Sequence, residues 1–315
     1  MNDMDRPATI PARKPELAGW LAIDKPAGMT SHDVLARLRK RHRKIKMGHA
    51  GTLDPLATGL LLVAIGSATR LVEATHALDK SYDARIRLGA VSSSDDADGE
   101  VTELPDAIAP DRDRVEAVLQ SLTGPAMLQV PPAVSAIHVD GKRAYDLARS
   151  GAEFELKARP VRIDRIVVTD YRWPWLEITV DCGAGTYIRS IARDAGAALG
   201  CGGLIERLRR TRIGDFSVAG AVSLEAAENA ESLECLLRAP VEALSGWSRV
   251  TIADPDAIKR ISRGQEVRVD EVYFSGTAAA SVALIDSEGF LLALAHAESL
   301  GNEVVCRPYR VFVSQ

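Results

Sequence analysis

The chain has few of the residues that build disulfide frameworks or metal sites. Its four cysteines, Cys182, Cys201, Cys235 and Cys306, are scattered over 315 residues and form no C-x-x-C pair. Such scattered thiols predict neither a disulfide framework nor a zinc knuckle. The six histidines form no H-E-x-x-H motif, so we expect no metal site.

Long hydrophobic runs are also missing. No apolar run exceeds six residues, the length of Leu60–Ile65, whereas a membrane-spanning helix needs about 20. Met1–Pro15 carries charges and three prolines in place of the apolar segment of a secretory signal. We therefore expect a cytoplasmic protein without a membrane partner.

The remaining composition is that of a globular protein, with 46% hydrophobic and 26% charged residues. The length favours two domains. Strand and helix patterns are mixed without a regular β-α-β-α alternation, which indicates an α+β fold. Pro240 and Ser245-Gly246 mark a boundary, so we expect a flexible tail at 1–17, a main domain at 18–246 and a small β-rich domain at 247–315.

Hydrophobic periodicity, caps and β-branched residues predict the individual elements. Helices are expected at 31–44, 69–78, 113–122, 186–199 and 223–237. Strands are expected at 20–23, 60–65, 81–88, 162–169, 176–182, 249–252, 267–269, 282–285, 291–295 and 311–313.

Positive charge is concentrated locally, although the net charge is −4. Arg37–Lys46 has seven Lys or Arg in ten positions, and Arg207, Arg209, Arg210 and Arg212 form a second cluster. Such patches bind polyanions even when the total charge is negative. The alternative for the first cluster is a solvated helix face.

The segment Gly48–Gly59 combines three glycines with His49, Asp54 and a proline, which indicates a shaped loop. Asp54 followed by Pro55 fits a helix N-cap as well as it fits a catalytic carboxylate. His49 fits a structural loop histidine as well as a site residue.

Two further segments have weaker signals. Asp96-Ala-Asp-Gly99 has calcium-loop spacing, but Pro105 stands where a bidentate Glu is needed, so we expect a solvated acidic loop. Gly183–Arg189 places a glycine-rich turn before a helix, without the Lys-Ser/Thr of a P-loop. Arg189 and Arg193 lie one turn apart, and a solvated helix face is the alternative to a site role for both.

Taken together, these motifs resemble the bacterial tRNA pseudouridine synthases of the TruB type. The resemblance runs from about Trp20 to Phe216 and depends on several separate motifs in the family's order and spacing. They are Leu21–Gly28, Gly48–Gly59, Lys80-Ser-Tyr82, Asp96–Gly99 and Gly185–Arg189.

The resemblance implies a mixed, largely antiparallel sheet with flanking helices and a central cleft. Residues 247–315, with Ile261–Val269, resemble the family's PUA-like domain. The implied reaction isomerises the T-loop uridine at tRNA position 55 to pseudouridine, by base flipping and exchange of the C1′–N1 bond for C1′–C5. It needs no cofactor. The implied partner is tRNA, bound at the T-arm and elbow by a monomer without a guide RNA.

The resemblance also assigns roles to individual residues. Asp54 matches the catalytic aspartate, which in the family attacks C1′, attacks the ring or abstracts a proton. Arg189 matches its paired arginine, and Tyr82 matches the tyrosine that stacks on the flipped base. The implied substrate-binding residues are His49 in the disrupted stack, Tyr187 and Leu208 at the uracil pocket, Lys25 of the opening motif, and Arg70, where Lys is common.

The excursion at residues 128–153 resembles the family's mobile segment that closes over RNA. Its Lys142 and Arg143 suit phosphate contacts. Ala184 departs from the family, because relatives often have a basic or polar residue there. The phosphate contact that such a residue makes is therefore not carried over to Ala184.

Overall fold

The computed structural model describes residues 17–134, 138–139, 142–143, 156–270, 280–300 and 303–313. Most of the predicted excursion at 128–153, with the side chains of Lys142 and Arg143, lies outside the described residues. The predicted tail also lies outside them, except for Leu17. In the part of the chain that is described, no helix is long and apolar enough to cross a membrane.

The strands before residue 240 belong mostly to one large sheet. They are β1 (Gly19–Lys25), β2 (Met47–Ala50), β3 (Thr58–Ile65), β4 (Lys80–Leu88), β5 (Ala90–Ser92), β6 (Val101–Glu103), β7 (Gly124–Gln129), β8 (His138–Val139), β9 (Lys142–Arg143), β10 (Arg159–Arg172), β11 (Trp175–Cys182), β12 (Gly203–Ile213), β13 (Phe216–Ser217), β14 (Val222–Ser223) and β15 (Leu237–Arg238).

Eleven of the described strands form this sheet, along the order β14-β1-β3-β12-β4-β11-β10-β7, with β2, β13 and β15 added at its sides. The β1–β14 and β12–β3 pairs are parallel, whereas the other pairs are antiparallel. Strands β5–β6 and β8–β9 form two small separate ladders. The predicted α+β fold with a mixed, largely antiparallel sheet is confirmed.

The described helices are α1 (Ser31–Arg41), α2 (Val72–His76), α3 (Arg112–Ser121), α4 (Ile188–Leu199), α5 (Leu224–Asn229) and α6 (Pro255–Ser262). Thr30 caps α1 in a reciprocal capping box with Asp33. Val34, Leu35 and Leu38 of α1 are buried in the main apolar cluster, so the basic residues of this helix remain on its outer surface.

A second sheet follows residue 247 and has its own apolar cluster. Its strands are β16 (Ser248–Ile252), β17 (Val267–Asp270), β18 (Ala280–Asp286), β19 (Leu291–Leu300) and β20 (Glu303–Val311), in the order β16-β18-β19-β20-β17. The predicted small β-rich unit is thereby confirmed. Its assignment as a PUA-like domain stays a prediction.

The two sheets share one apolar cluster. Trp20 and Leu60 from the large sheet lie in the same buried cluster as Leu291 and Leu294 from the C-terminal sheet. Packing of this kind excludes water from both surfaces, so the C-terminal sheet packs directly against the large sheet.

The structure differs from several element predictions. Strand β12 was not predicted, because the adjacent Arg209 and Arg210 put charge on both of its faces and two bulges interrupt its pairing with β4. The helix predicted at 69–78 is a 3₁₀ helix at Gly66–Leu71 followed by α2. The helix predicted at 223–237 is only α5 followed by a 3₁₀ turn at Glu234–Leu236. The last strand, predicted at 311–313, is β20, which contains Pro308, a residue rare inside strands.

Candidate active site

Asp54 lies in the connection between β2 and β3. Hydrogen bonds to the residues on either side of it fix the backbone of this connection. The hydroxyl of Ser31 accepts a hydrogen bond from the Leu53 N–H at 2.8 Å. The Gly28 N–H donates to the Pro55 carbonyl at 2.9 Å, and the Leu56 N–H donates to Oδ2 of Asp98 at 3.1 Å. Residues 54–57 form a turn rather than a helix. Asp54 is therefore not a helix N-cap, which removes the structural alternative for this residue.

The Asp54 carboxylate faces a buried arginine from a distant part of the chain. Oδ2 of Asp54 lies 3.1 Å from Nη2 of Arg189, with the aspartate side chain 40% exposed and the arginine side chain 5% exposed. Nη1 of Arg189 lies 3.2 Å from Oδ2 of Asp96 and donates to the Ser94 carbonyl at 2.9 Å. Because the buried guanidinium is held by these groups, it orients a carboxylate that stays open to a ligand.

The acidic segment at residues 94–99 is part of this site. Asp96 is 4% exposed, accepts a hydrogen bond from the Ser94 hydroxyl at 2.5 Å and pairs with Arg189. The expectation of a solvated acidic loop is wrong, because the second carboxylate is needed to neutralise and fix a buried arginine. The expectation of a solvated face is wrong for Arg189 for the same reason.

Arg193, one helical turn further, is only partly exposed. Its Nη1 lies 3.0 Å from Oδ2 of Asp95, and its Nη2 lies 2.9 Å from Oδ1 of Asp194. Nη2 also donates to the Val130 carbonyl at 2.8 Å. Arg193 is therefore engaged in tying α4 to the adjoining loops.

The electrostatic environment of Asp54 is set by opposing groups. Burial raises the pKa of the Asp54 carboxyl above its ordinary value, and the nearby Asp96 and Asp98 carboxylates add to this rise. The cations of Arg189 and Lys25 oppose it. Asp54 is therefore a carboxylate whose proton affinity exceeds that of a solvated aspartate, which suits a group that reacts with substrate.

Lys25 is fully buried at the end of β1. Its Nζ donates to the carbonyls of Pro26 at 2.9 Å and Met29 at 2.7 Å. Burial lowers the pKa of Lys25 to about 8, with Asp54 raising it and Arg210 lowering it further. The structure thus brings Lys25 into the electrostatic range of Asp54 but leaves it no surface for direct RNA contact.

Tyr82 lies on β4 opposite Val180 of β11 and Arg210 of β12. Tyr82 is 7% exposed and belongs to the main apolar cluster. Burial raises the pKa of the Tyr82 hydroxyl, and the neighbouring Arg210 cation acts in the opposite direction. The hydroxyl is therefore neutral near pH 7, and the ring is already packed before any base arrives.

Leu208 and Tyr187, which the resemblance assigns to the uracil pocket, lie on different elements, β12 and the N-terminus of α4. Leu208 is 8% exposed on β12, opposite Ala84 of β4. The backbone of Tyr187 is clamped by the amide of Gln129, which accepts from its N–H at 2.8 Å and donates to its carbonyl at 3.1 Å. The Arg159 guanidinium lies 5.2 Å from the Tyr187 ring centroid, which indicates a cation–π contact.

A cavity of about 380 Å³ opens beside Leu208 and Leu56. Charged residues of the β4–β11–β12 region, including Glu177 and Arg207, complete its wall. Neither Asp54 nor Tyr82 lines it, whereas Leu208, which the resemblance assigns to the uracil pocket, does.

His49 and Arg70 differ in their relation to the site. His49 is half-buried on β2, and burial together with the Arg210 cation lowers the pKa of its imidazole, so it is neutral near pH 7. The Arg70 guanidinium donates to the Val311 carbonyl at 2.6 Å and lies 4.7 Å from the Phe312 ring centroid. The structure therefore places Arg70 at the joint with the C-terminal sheet and not beside Asp54.

Sequence reasoning missed two residues that the structure places in this site, Asp96 and Arg210. The signal for Asp96 was the Asp96–Gly99 motif itself, since a solvated loop gives no reason for its fixed place in the family's motif order. The signal for Arg210 was its position two residues after Leu208, which puts both side chains on one face of a strand. Across the residues that the structure describes, no group of three His, Cys, Asp or Glu side chains is arranged to hold a metal ion.

Solved structures share this fold. A Cbf5-Nop10-Gar1 complex matches with a TM-score of 0.74 and 26% identity, over 94% of this chain and 85% of that chain. An H/ACA RNP bound to a substrate RNA containing 2′-deoxyuridine matches with a TM-score of 0.73, 24% identity and the same coverage of both chains. These likenesses extend over the C-terminal sheet as well as the large one.

Sequence relatives are closer. The tRNA pseudouridine synthase B of Mycobacteroides abscessus is 50% identical over 213 residues, 66% of this chain and 71% of the relative. The enzyme of the same name from a Caulobacter species is 44% identical over 261 residues, 80% of this chain and 81% of the relative. The family model for the TruB family pseudouridylate synthase (N terminal domain) matches residues 39–188, and that for the tRNA pseudouridylate synthase B C-terminal domain matches residues 189–244. The chain therefore belongs to the TruB family of pseudouridine synthases, which are isomerases.

Proposed function

We propose that this enzyme isomerises the T-loop uridine of tRNA to pseudouridine, acting alone as a cytoplasmic monomer. The observation that carries the proposal is the Asp54–Arg189 pair, in which a partly exposed carboxylate lies 3.1 Å from a buried, multiply bonded guanidinium. A carboxylate with one accessible face and a fixed cation behind it suits attack on a ligand that enters from solvent.

The substrate base must leave the RNA stack before Asp54 can reach it. Flipping costs a few kcal/mol, and stacking on one aromatic ring returns about 1–3 kcal/mol per base. Tyr82 is assigned this stacking role, and Leu208 and Tyr187 are assigned to the lining of the uracil pocket. Because Tyr82 is already packed in the core, little ordering entropy is lost when the base arrives.

In the reaction itself, Asp54 provides the carboxylate that releases the base from C1′, whether by attack on the sugar, attack on the ring or proton abstraction. Arg189 orients the carboxylate and keeps it ionised. The base then rotates and rejoins through C5, and the C5 proton leaves last. No atom is added or removed in the net reaction, so residues of the chain are sufficient without a cofactor.

The relatives support a stand-alone enzyme over a member of a guide-RNA particle. The sequence is 44–50% identical to enzymes named for tRNA and only 24–26% identical to chains solved in ribonucleoprotein or multi-protein complexes. A different class of function, a tRNA-binding folding helper with a relic site, does not need an intact and correctly bonded Asp54–Arg189–Asp96 set.

The test is a pseudouridine map. The purified chain is incubated with an unmodified tRNA transcript, without guide RNA and with EDTA, and product positions are mapped. We expect pseudouridine at the T-loop uridine, and none with the Asp54→Asn variant. Absence of product with wild-type protein, while tRNA is still bound, would instead support the folding helper. Product at another uridine would refute the assigned target.

A further inference from the structure

Arg210 is a fully buried cation next to the site. It lies on β12 and is 1% exposed, whereas its neighbour Arg209 faces the other side of the sheet and bonds to Asp24 at 2.9 and 2.8 Å. Side chains alternate along a strand, so Arg210 points inward with Leu208. A residue with so little exposed surface has none to offer to RNA.

The Arg210 guanidinium bonds to three backbone carbonyls, and it also lies within hydrogen-bonding range of the Tyr82 hydroxyl, whose pKa this contact lowers. Nε donates to Leu60 at 2.8 Å, Nη2 to Gly51 at 3.0 Å and Nη1 to Thr52 at 3.5 Å. Among the described side chains, no carboxylate lies within 4.0 Å of it to form an ion pair. A buried cation is costly unless it is fully hydrogen-bonded. The carbonyls of Gly51 and Thr52 are thus held where the cation needs them.

Gly51 and Thr52 directly precede Leu53 and Asp54. Gly51 has φ of +81°, and a Cβ there would lie 3.4 Å from Nη1 of Arg210. Leu53 is fixed from the opposite side by Ser31. The backbone leading to Asp54 is therefore gripped between the central sheet and α1, with Arg210 as the only side chain that bonds to residues 51 and 52 within the described structure.

We propose that Arg210 is a positioning residue: it holds the Gly51–Thr52 backbone so that the Asp54 carboxylate meets Arg189 and the substrate at a fixed place. Its effect on catalysis rests on the proposed function, whereas its effect on the loop does not. Arg210 is also the cross-strand partner of Tyr82, so one side chain links the loop of Asp54 to the strand that carries the stacking ring.

The test uses the full chain with two readouts, single-turnover pseudouridine formation and hydrogen–deuterium exchange of residues 50–57. Arg210→Met removes all three donors, and Arg210→Lys keeps the charge without the planar fork. Gly51→Ala strains the loop backbone directly, because Gly51 has φ of +81°, and leaves the cation in place, so it shows what displacement of the loop alone does to the rate. Arg87→Met is the matched control, since Arg87 is an arginine on the partner strand β4 that bonds to Glu103 instead.

We expect Arg210→Met to bind tRNA within about threefold of wild type but to react about 10²-fold more slowly, the loss typical of a small misplacement of a reacting group. Exchange of residues 50–57 should quicken, with α1 and β11 unchanged. Arg210→Lys should be intermediate, Gly51→Ala should also be slow, and Arg87→Met should match wild type. If Arg210→Met does not fold, Arg210→Lys decides the question.

Three results would overturn the proposal: a wild-type rate in Arg210→Met or Gly51→Ala, unchanged exchange at residues 50–57, or a rate loss that merely follows lost tRNA affinity. A wild-type protein that forms no pseudouridine at all would refute the proposed function instead. In that case the exchange data alone would still show whether Arg210 holds the loop.

Discussion

The charge of Asp54 is the residue-scale feature with the sharpest consequence. Asp54→Asn keeps the size of the side chain and removes the negative charge. We expect single-turnover product formation to fall by about 10²-fold or more, with tRNA affinity within a few-fold of wild type. Turnover within a few-fold of wild type would leave Asp54 without a catalytic role.

The same substitution, Asp54→Asn, should lower activity without lowering the stability of the folded protein. Because burial raises the pKa of Asp54 in the folded protein, its stabilising contribution is present below the unfolded-state pKa and is lost as pH rises through the folded-state pKa. At neutral pH the charged carboxylate therefore costs stability. We expect the melting temperature of Asp54→Asn to equal or exceed that of wild type at pH 7.

The pH dependence of the reaction follows from the same shift. Protonated Asp54 is inactive, so the rate should fall on the acid side at a pH above the ordinary aspartate value of about 3.9. Asp98→Asn keeps an acceptor for the Leu56 N–H and removes a charge that raises the pKa of Asp54. In pH profiles of the single-turnover rate, the fall in rate on the acid side should therefore occur at lower pH for Asp98→Asn than for wild type. An acid-side fall at the same pH in both proteins would mean that a group other than Asp54 controls the rate there.

Tyr82 has two proposed roles, one for its ring and one for its hydroxyl. Substitution by Phe removes only the hydroxyl, whereas substitution by Leu removes both. Its ring stacks on the flipped base, and its hydroxyl takes part in removing the C5 proton. Tyr82→Phe should bind tRNA normally and melt normally but turn over slowly, whereas Tyr82→Leu should also lose binding by up to about 1–3 kcal/mol.

Melting curves beside single-turnover rates distinguish this from simple core packing. Tyr171→Phe is the control, since Tyr171 lies on β10 of the same sheet and its hydroxyl donates to the Pro110 carbonyl in the loop before α3. A fully active Tyr82→Phe variant beside an unstable Tyr82→Leu variant would leave Tyr82 as a core residue only.

The residues of the site divide according to whether a short motif reveals their role. Asp54, Tyr82 and Arg189 were assigned from short motifs, because each stands in a local pattern. Asp96 was misjudged and Arg210 was overlooked, since their roles depend on contacts with Arg189 and Gly51, more than 90 residues away in each case. A short motif cannot show which buried carboxylate pairs with which buried arginine from a distant part of the chain.

At the scale of elements, the basic segment Arg37–Lys46 has a divided role. Arg37 bonds to Glu228 at 2.6 and 2.5 Å, and Arg41 donates to the Glu228 carbonyl at 3.0 Å. These two arginines fasten α1 to α5. Arg43 and Lys44 are exposed and form no ion pair among the described residues, so they remain available for phosphates.

Arg43→Gln with Lys44→Gln should therefore flatten the salt dependence of tRNA binding. Each phosphate contact adds about 0.7–0.9 to the slope of log K against log salt, so a fall of about 1–2 is expected. Arg37→Gln is the control and should leave the slope unchanged. An unchanged slope in the double variant would place the RNA elsewhere on the surface.

Elements with local signals were predicted well, and those that depend on pairing were not. Helix α1 has a capping box and an apolar stripe, and α4 ends at Gly200 with φ of +75°. Both were expected near their observed bounds. Strand β12 was invisible because its inward Arg210 and outward Arg209 are both charged, and only the neighbours β3 and β4 determine which one is buried.

At the scale of the whole molecule, the fold class was predictable, whereas the joint between the two sheets was not. Trp20 and Leu294 look like separate core residues in the sequence, and nothing local shows that they share one cluster. For the same reason, deleting the C-terminal sheet would expose apolar surface of the catalytic part. A single substitution at the joint is the cleaner way to ask what the C-terminal sheet contributes.

Arg70→Met is that substitution. It removes the donor to the Val311 carbonyl and keeps an apolar side chain against Phe312. We expect the melting temperature to fall by about 2–4 °C, as for loss of roughly 1 kcal/mol. Arg263→Met is the control, since Arg263 is an exposed arginine at the end of α6, and its melting temperature should not change.

The sequence resemblance assigned Arg70 to substrate binding, and the same variant tests that assignment. Arg70→Met at the joint should leave the salt slope of tRNA binding unchanged, because the guanidinium is already engaged by the chain itself. A slope lower by about one with an unchanged melting temperature would show instead that Arg70 releases Val311 and meets a phosphate when tRNA binds.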